Sequence, residues 1–164
     1  MITDRQTKIL QEARDFAYAE LKDETSGHDW WHIVRATNIA VEIAKQEQAD
    51  VFICELAALL HDIADGKLNE NEEVGLQKVE QWLQNHQASE AEIAHVLEIV
   101  STMSFKGDHQ QKNISTLEGK IVQDADRLDA IGAIGIARAM AYSGHIGRPI
   151  HDPDLQPREN MTFE

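Results

Sequence analysis

One cysteine, three prolines, few basic residues and no long apolar run: the scarcities in these 164 residues set the first limits. The lone Cys54 rules out an intrachain disulfide and, inside an apolar helical run, reads as a small core residue. No stretch reaches the roughly 18 consecutive apolar residues that a membrane span needs. No positively charged leader precedes an apolar segment, so no signal peptide is visible, and a soluble cytoplasmic protein is the default expectation. Basic residues number 15 against 29 acidic ones, a net charge of −14. With no basic face to offer, the chain is not expected to bind nucleic acid or anionic membrane broadly. A small anionic ligand remains compatible, because a bound cation and a few placed basic groups can invert the potential of one cleft.

What is present is helical patterning. With 42% hydrophobic residues, the chain can build one real core, and the expectation is a single all-α domain over 1–164. Residues 4 to about 22 place Ile9, Ala13, Phe16, Ala17 and Leu21 on one stripe. Thr25-Ser26-Gly27 breaks the pattern, and Trp30 to Glu47 resumes it with Ile33, Ala36, Ala40, Ile43 and Ala44. Asp50 is the expected N-cap of a helix ending near Asp65-Gly66. Residues 72 to 86 give a fourth amphipathic helix through Leu76, Val79, Trp82 and Leu83. Ser89…Glu92 and Ser115…Glu118 both fit the capping box. The second is expected to open one long helix through Ile121, Ala125, Leu128, Gly132, Ile136 and Ala139. Its nearly all-apolar stretch 130–142 predicts a central position, with Gly132 and Gly135 allowing close packing. Residues 144–164 read as an irregular segment punctuated by Gly and Pro. No strand alternation, internal repeat or interdomain linker stands out.

The chemistry concentrates at His61-Asp62, at the end of the apolar run Glu55 to Leu60. Burying an imidazole beside a carboxylate is costly without a partner, and a divalent metal ion is the natural one. Adjacent residues point about 100° apart on an α-helix, so both reach one ion only if it sits near the helix end. Two other His-Asp dipeptides occur. His151-Asp152 precedes a proline in a loop and reads as surface; in His28-Asp29 the aspartate is more simply a helix cap. Further ligands are on offer in Gly27-His-Asp-Trp-Trp-His-Ile33 and in Val122-Gln-Asp-Ala-Asp-Arg-Leu-Asp-Ala130. His28 and His32 stand one helical turn apart, and Asp124, Asp126 and Asp129 compete for the carboxylate role. Asp129 falls on the same face as Asp126, three residues on, where it could orient a ligand or Arg127.

The order His…His-Asp…Asp on helices resembles the HD-domain metal-dependent phosphohydrolases. The fit is closest to small bacterial members with Gly-His-Asp-Trp-Trp-His and Asp-Ala-Asp-Arg-Leu-Asp-Ala-Ile-Gly. The resemblance extends to about Ser143; family members typically continue through one or two C-terminal helices that these residues do not include. It implies an all-α helical bundle with a metal site in its core, held by His32, His61, Asp62 and Asp126. It implies one divalent ion, manganese by preference, with magnesium, iron, cobalt, nickel or zinc as alternatives. His86, His95 and His109 lie where two-metal relatives carry extra histidines, but without the His-His pairing those enzymes show. His28, Trp31 and Lys106 are expected to line the substrate site. Asp65, one turn after Asp62, is the candidate base, and Lys67 and Arg127 are candidate phosphate contacts. The implied reaction is hydrolysis of a small phosphorylated compound, most plausibly a nucleotide, by metal-activated water. Two other readings stay open: a catalytically silent nucleotide-binding regulatory module and a two-iron oxygenase. A homodimer is compatible with either.

Overall fold

Side chains that satisfy the first free backbone N–H groups decide where most helices of this chain begin. The computed structural model describes residues 2–24, 29–65, 69–103 and 114–155. Among the described residues there are seven α-helices, a 3-10 turn and no strand. Helix α1 (Asp4–Leu21) opens on a reciprocal capping box between Thr3 and Gln6. In α2 (Trp30–Glu47) the Asp29 carboxylate accepts from the His32 N–H at 2.8 Å. In α3 (Val51–Leu60) Asp50 accepts from both Phe52 and Ile53 N–H groups, as the sequence suggested. Asn71 caps α4 (Glu72–Asn85). Ser89 and Glu92 form the expected capping box ahead of α5 (Glu90–Met103). Helices α6 (Leu117–Asp129) and α7 (Gly132–His145) complete the described elements.

The central element is α3. Eight of its ten residues are buried, Glu55 and Val51 being the exceptions. It packs against α1, α2, α5 and α6, while α2 also packs along α6. Burying each of its leucines contributes about 1.5–3 kcal/mol, so this helix is a rigid post on which the site can be mounted. After Leu60 the chain tightens into a 3-10 turn, His61–Ala64, all of it buried. Helix α4 lies directly on that turn. Gly75 permits the approach: a Cβ there would stand 2.5 Å from the Ala64 carbonyl oxygen and 2.8 Å from its Cα.

Four expectations are corrected. The long helix expected after Ser115 is two helices, because Ala130 ends α6 and Gly132 takes a left-handed φ of +65° that no α-helix continues through. The second of them is not central: no residue of α7 is buried, and Ile134, Ile136 and Met140 are exposed. Apolar composition had suggested burial, but burial requires a facing element. The cap of α6 is Thr116, whose hydroxyl accepts from Gly119 N–H. Glu118 does not reach back to Ser115 and instead accepts from the Asp50 N–H at 3.1 Å, tying α6 to the start of α3. The helical run also extends to His145, two residues into the segment read as irregular.

Candidate metal centre

Three elements converge at the end of α3. His32, in the first turn of α2, is fully buried. Its Nε2 lies 3.3 Å from Asp126 Oδ1 on α6 and 3.6 Å from Asp62 Oδ2 on the 3-10 turn. His61 opens that turn, and its Nδ1 donates to the Ala58 carbonyl at 2.8 Å. A carbonyl only accepts, so the Nδ1 proton leaves the Nε2 lone pair of neutral His61 facing inward. There it lies 3.3 Å from Asp62 Oδ1 and 3.8 Å from Asp126 Oδ1. The two imidazole rings meet nearly edge to face, 5.4 Å between centroids. One ligand atom each from His32, His61 and Asp126 fall within 4.8 Å of one another.

This donor set is unstable without a positive charge. The His61 Nε2 is buried with no hydrogen-bond partner among the described residues, and carboxylate oxygens face it. Either a proton or a cation must occupy the space between them. The electrostatics agree. Burial pushes the His61 pKa down, yet Asp62, Asp126 and the Ala58 carbonyl together outweigh it and leave it raised. Burial likewise pushes Asp126 up, but His32, 3.3 Å away, and the charge of His61 hold its carboxyl below the usual range. Two imidazoles and carboxylate oxygens in six-coordinate geometry are a donor set for manganese, iron, cobalt, nickel or magnesium. The residues present fit a divalent ion.

Behind His32 stands a second group of charges. The His32 Nδ1 lies 2.7 Å from Oδ2 of Asp129, the last residue of α6, which is 5% exposed. Arg35 grips the same carboxylate with two bonds, Nε to Oδ1 at 2.6 Å and Nη2 to Oδ2 at 3.0 Å. Arg138 reaches it from α7, Nη1 to Oδ2 at 3.2 Å. Burial would raise the Asp129 pKa, but the bonds from Arg35 and His32 keep it low. The sequence named Arg127 as the cation Asp129 might meet; Arg127 is exposed, and the guanidinium groups on Asp129 are those of Arg35 and Arg138. Arg35 had a signal, since it sits three residues after His32 on the same helical face. Arg138 had none, because its reach depends on the break at Gly132.

The other expected site residues are distributed unevenly. Asp65 closes the 3-10 turn, half-buried, with its N–H donating to the Asp62 carbonyl at 3.0 Å. Asn69, not foreseen, donates its amide to the carbonyls of Ile63 and Asp65 at 2.8 and 2.9 Å and so straps the turn. Trp31 is 65% exposed at the start of α2, whereas Trp30 packs edge-on against Tyr18. Asp124 is exposed, away from the cluster that Asp126 joins. His86 stacks on Trp82 and its Nδ1 donates to the Trp82 carbonyl, and His95 Nε2 lies 3.5 Å from Glu118. His28, Lys67, Lys106 and His109 lie outside the described residues.

A four-residue centre of this order, set on a central helix end and two flanking helices, defines a class. The HD-domain family model matches residues 30–131, a span that contains all four clustered side chains. The chain belongs to the HD-domain family. Among its relatives is the uncharacterised protein YpgQ of Bacillus subtilis, 39% identical over 148 residues that cover 90% of this chain and 72% of that protein. The crystal structure of YpgQ in complex with ADP superposes with a TM-score of 0.77 at 37% identity, over 92% of this chain and 73% of that one. A Lactobacillus plantarum protein gives a TM-score of 0.84 at 40% identity, over 99% of this chain and 74% of its own. An HD-superfamily hydrolase of Bacillus thuringiensis gives 0.72 at 45% identity, over 94% and 75%. No helix among the described residues is long and apolar enough to cross a membrane.

Proposed function

We propose that this protein is a metal-dependent phosphohydrolase acting on a small nucleotide. The observation that carries the reading is the buried convergence of His32, His61, Asp62 and Asp126 on one point. A divalent ion held there, manganese by preference, would polarise a phosphoryl oxygen and supply a water of lowered pKa. The ADP bound by YpgQ supports a nucleotide as the ligand class. Asp126 is the most open of the four side chains, 31% exposed against 6% or less for the others, so substrate enters on its side. Asp65, adjoining the turn that presents Asp62, accepts the proton of the attacking water. In this reading Arg127, Lys67 and Lys106 are the candidates for contact with phosphate oxygens, and His28 and Trp31 those for contact with the nucleoside.

The test is a panel of nucleoside mono-, di- and triphosphates with the purified protein and Mn²⁺. Turnover of at least one nucleotide, abolished by chelator and restored by metal, is the expected result. No turnover across the panel, together with nucleotide binding, would favour the silent regulatory module. A diiron spectroscopic signature would favour the oxygenase.

A further inference from the structure

The carboxylate of Asp129 receives more donors than a simple salt bridge requires. Oδ1 takes the Arg35 Nε–H, and Oδ2 is within 3.2 Å of Arg35 Nη2, Arg138 Nη1 and His32 Nδ1. Arginine is a donor only, and an ionised carboxylate is an acceptor only. With both oxygens facing guanidinium groups, the atom His32 presents to Asp129 has to be an N–H. We propose that Asp129 is a positioning residue: clamped by Arg35 and Arg138, it fixes His32 as the Nδ1–H tautomer and so keeps the Nε2 lone pair turned toward Asp62 and Asp126. The opposite tautomer would set two lone-pair-bearing atoms 2.7 Å apart at Asp129 and aim an N–H at the point where a ligand atom is needed. Ala58 does the same for His61 with a backbone carbonyl. The two histidines therefore take their tautomers from unrelated elements, α6 for one and α3 for the other.

Asp129→Leu is the discriminating change because it keeps the bulk and removes the acceptor. An asparagine would not serve: three of the four donors meet Oδ2, so its amide oxygen would settle there and keep the His32 Nδ1–H bonded. Without the carboxylate nothing holds the ring proton on Nδ1, and it moves to Nε2, where carboxylate oxygens of Asp126 and Asp62 lie 3.3 and 3.6 Å away. The consequence for metal binding rests on the metal reading of the site; the tautomer does not.

Two readouts separate them. Two-bond ¹H–¹⁵N spectra of the metal-free protein, recorded at alkaline pH, report the His32 tautomer directly. Co²⁺ titration followed by visible absorption reports affinity. Wild type should show Nδ1–H, and Asp129→Leu should show Nε2–H with Co²⁺ bound ~10–100-fold more weakly, at unchanged helix content. Arg138→Ala, which leaves both Arg35 bonds in place, should retain Nδ1–H with a smaller loss. It carries the comparison if Asp129→Leu does not fold. Nε2–H in wild type, or a variant with wild-type tautomer and affinity, overturns the proposal. A wild type with the Nδ1–H tautomer that binds no Co²⁺ overturns the metal reading and leaves the tautomer assignment standing.

Discussion

At the scale of single residues, charge is placed here with very different effects. Glu92 accepts from Arg5 at 2.9 and 2.7 Å, from Gln6 at 3.1 Å and from the Ser89 N–H at 2.7 Å, and its carboxyl is held down at about 2. Because the folded pKa is below the unfolded one of about 4.3, the contribution is complete above pH 5. It falls away as pH drops through 4 and 3 and is gone below about 2. The Arg5 side chain is 41% exposed, so solvent screening limits the contribution to roughly 1 kcal/mol. Urea melts of wild type and Glu92→Gln should therefore differ at pH 7 and coincide near pH 2. Asp65 is a different case, one where stability should not be the readout. If it takes the proton of the attacking water, Asp65→Asn should bind metal and nucleotide normally and lose ~10²–10⁴-fold in kcat. Unchanged kcat at saturating nucleotide would reduce it to the residue that closes the turn. Cys54, whose thiol is pushed up to about 12 mainly by burial, plays neither part and is a core residue, as its setting in the sequence suggested.

At the scale of elements, the site depends on how closely α4 can approach the 3-10 turn. Gly75→Ala would drive a methyl into backbone atoms of Ala64, and backbone gives way less easily than a side-chain tip. The variant should lose about 1–3 kcal/mol and, because the turn carries His61 and Asp62, also weaken metal binding. Differential scanning calorimetry with and without Mn²⁺ would show both, and metal stabilisation equal to wild type would separate α4 from the site. The element boundaries show what the sequence could and could not disclose. The starts at Thr3, Asp29, Asp50 and Ser89 are local chemistry, set by a side chain and backbone a few residues apart. At Ser115 local chemistry pointed the wrong way, since the Thr116 hydroxyl takes the cap and Glu118 finds its partner at Asp50, ahead of α3. The break at Gly132 was hidden because a glycine in an apolar helix serves close packing and a left-handed turn equally well. The 3-10 turn was hidden too: four residues of tighter winding leave the apolar pattern almost unchanged. His61 and Asp62 reach one place because they stand at the end of α3, where His32 and Asp126 come in from α2 and α6.

At the scale of the molecule, a chain of net charge −14 gathers basic groups around one carboxylate beside its most buried acidic cluster. His32, His61, Asp62 and Asp126 could be singled out from their order along the chain, and the fold brings them together. Arg138 could not, because its role depends on the angle between helices; Arg35 carried only the hint of its place one turn after His32, and Asn69 acts through the nearby carbonyls of the 3-10 turn. The apolar face of α7 belongs to the same lesson. Ile134, Ile136 and Met140 are exposed there, and composition alone had placed them inside. Arg138, bonded to Asp129, ties this helix to the site through its charge. One divalent ion belongs at the meeting of α2, the 3-10 turn and α6. Elemental analysis after loading with Mn²⁺ and desalting decides it. Wild type should carry one ion per chain and the His61→Ala, Asp62→Ala double variant none, with helix content nearly intact. A full complement of metal in that variant, or an empty wild type, would overturn the assignment.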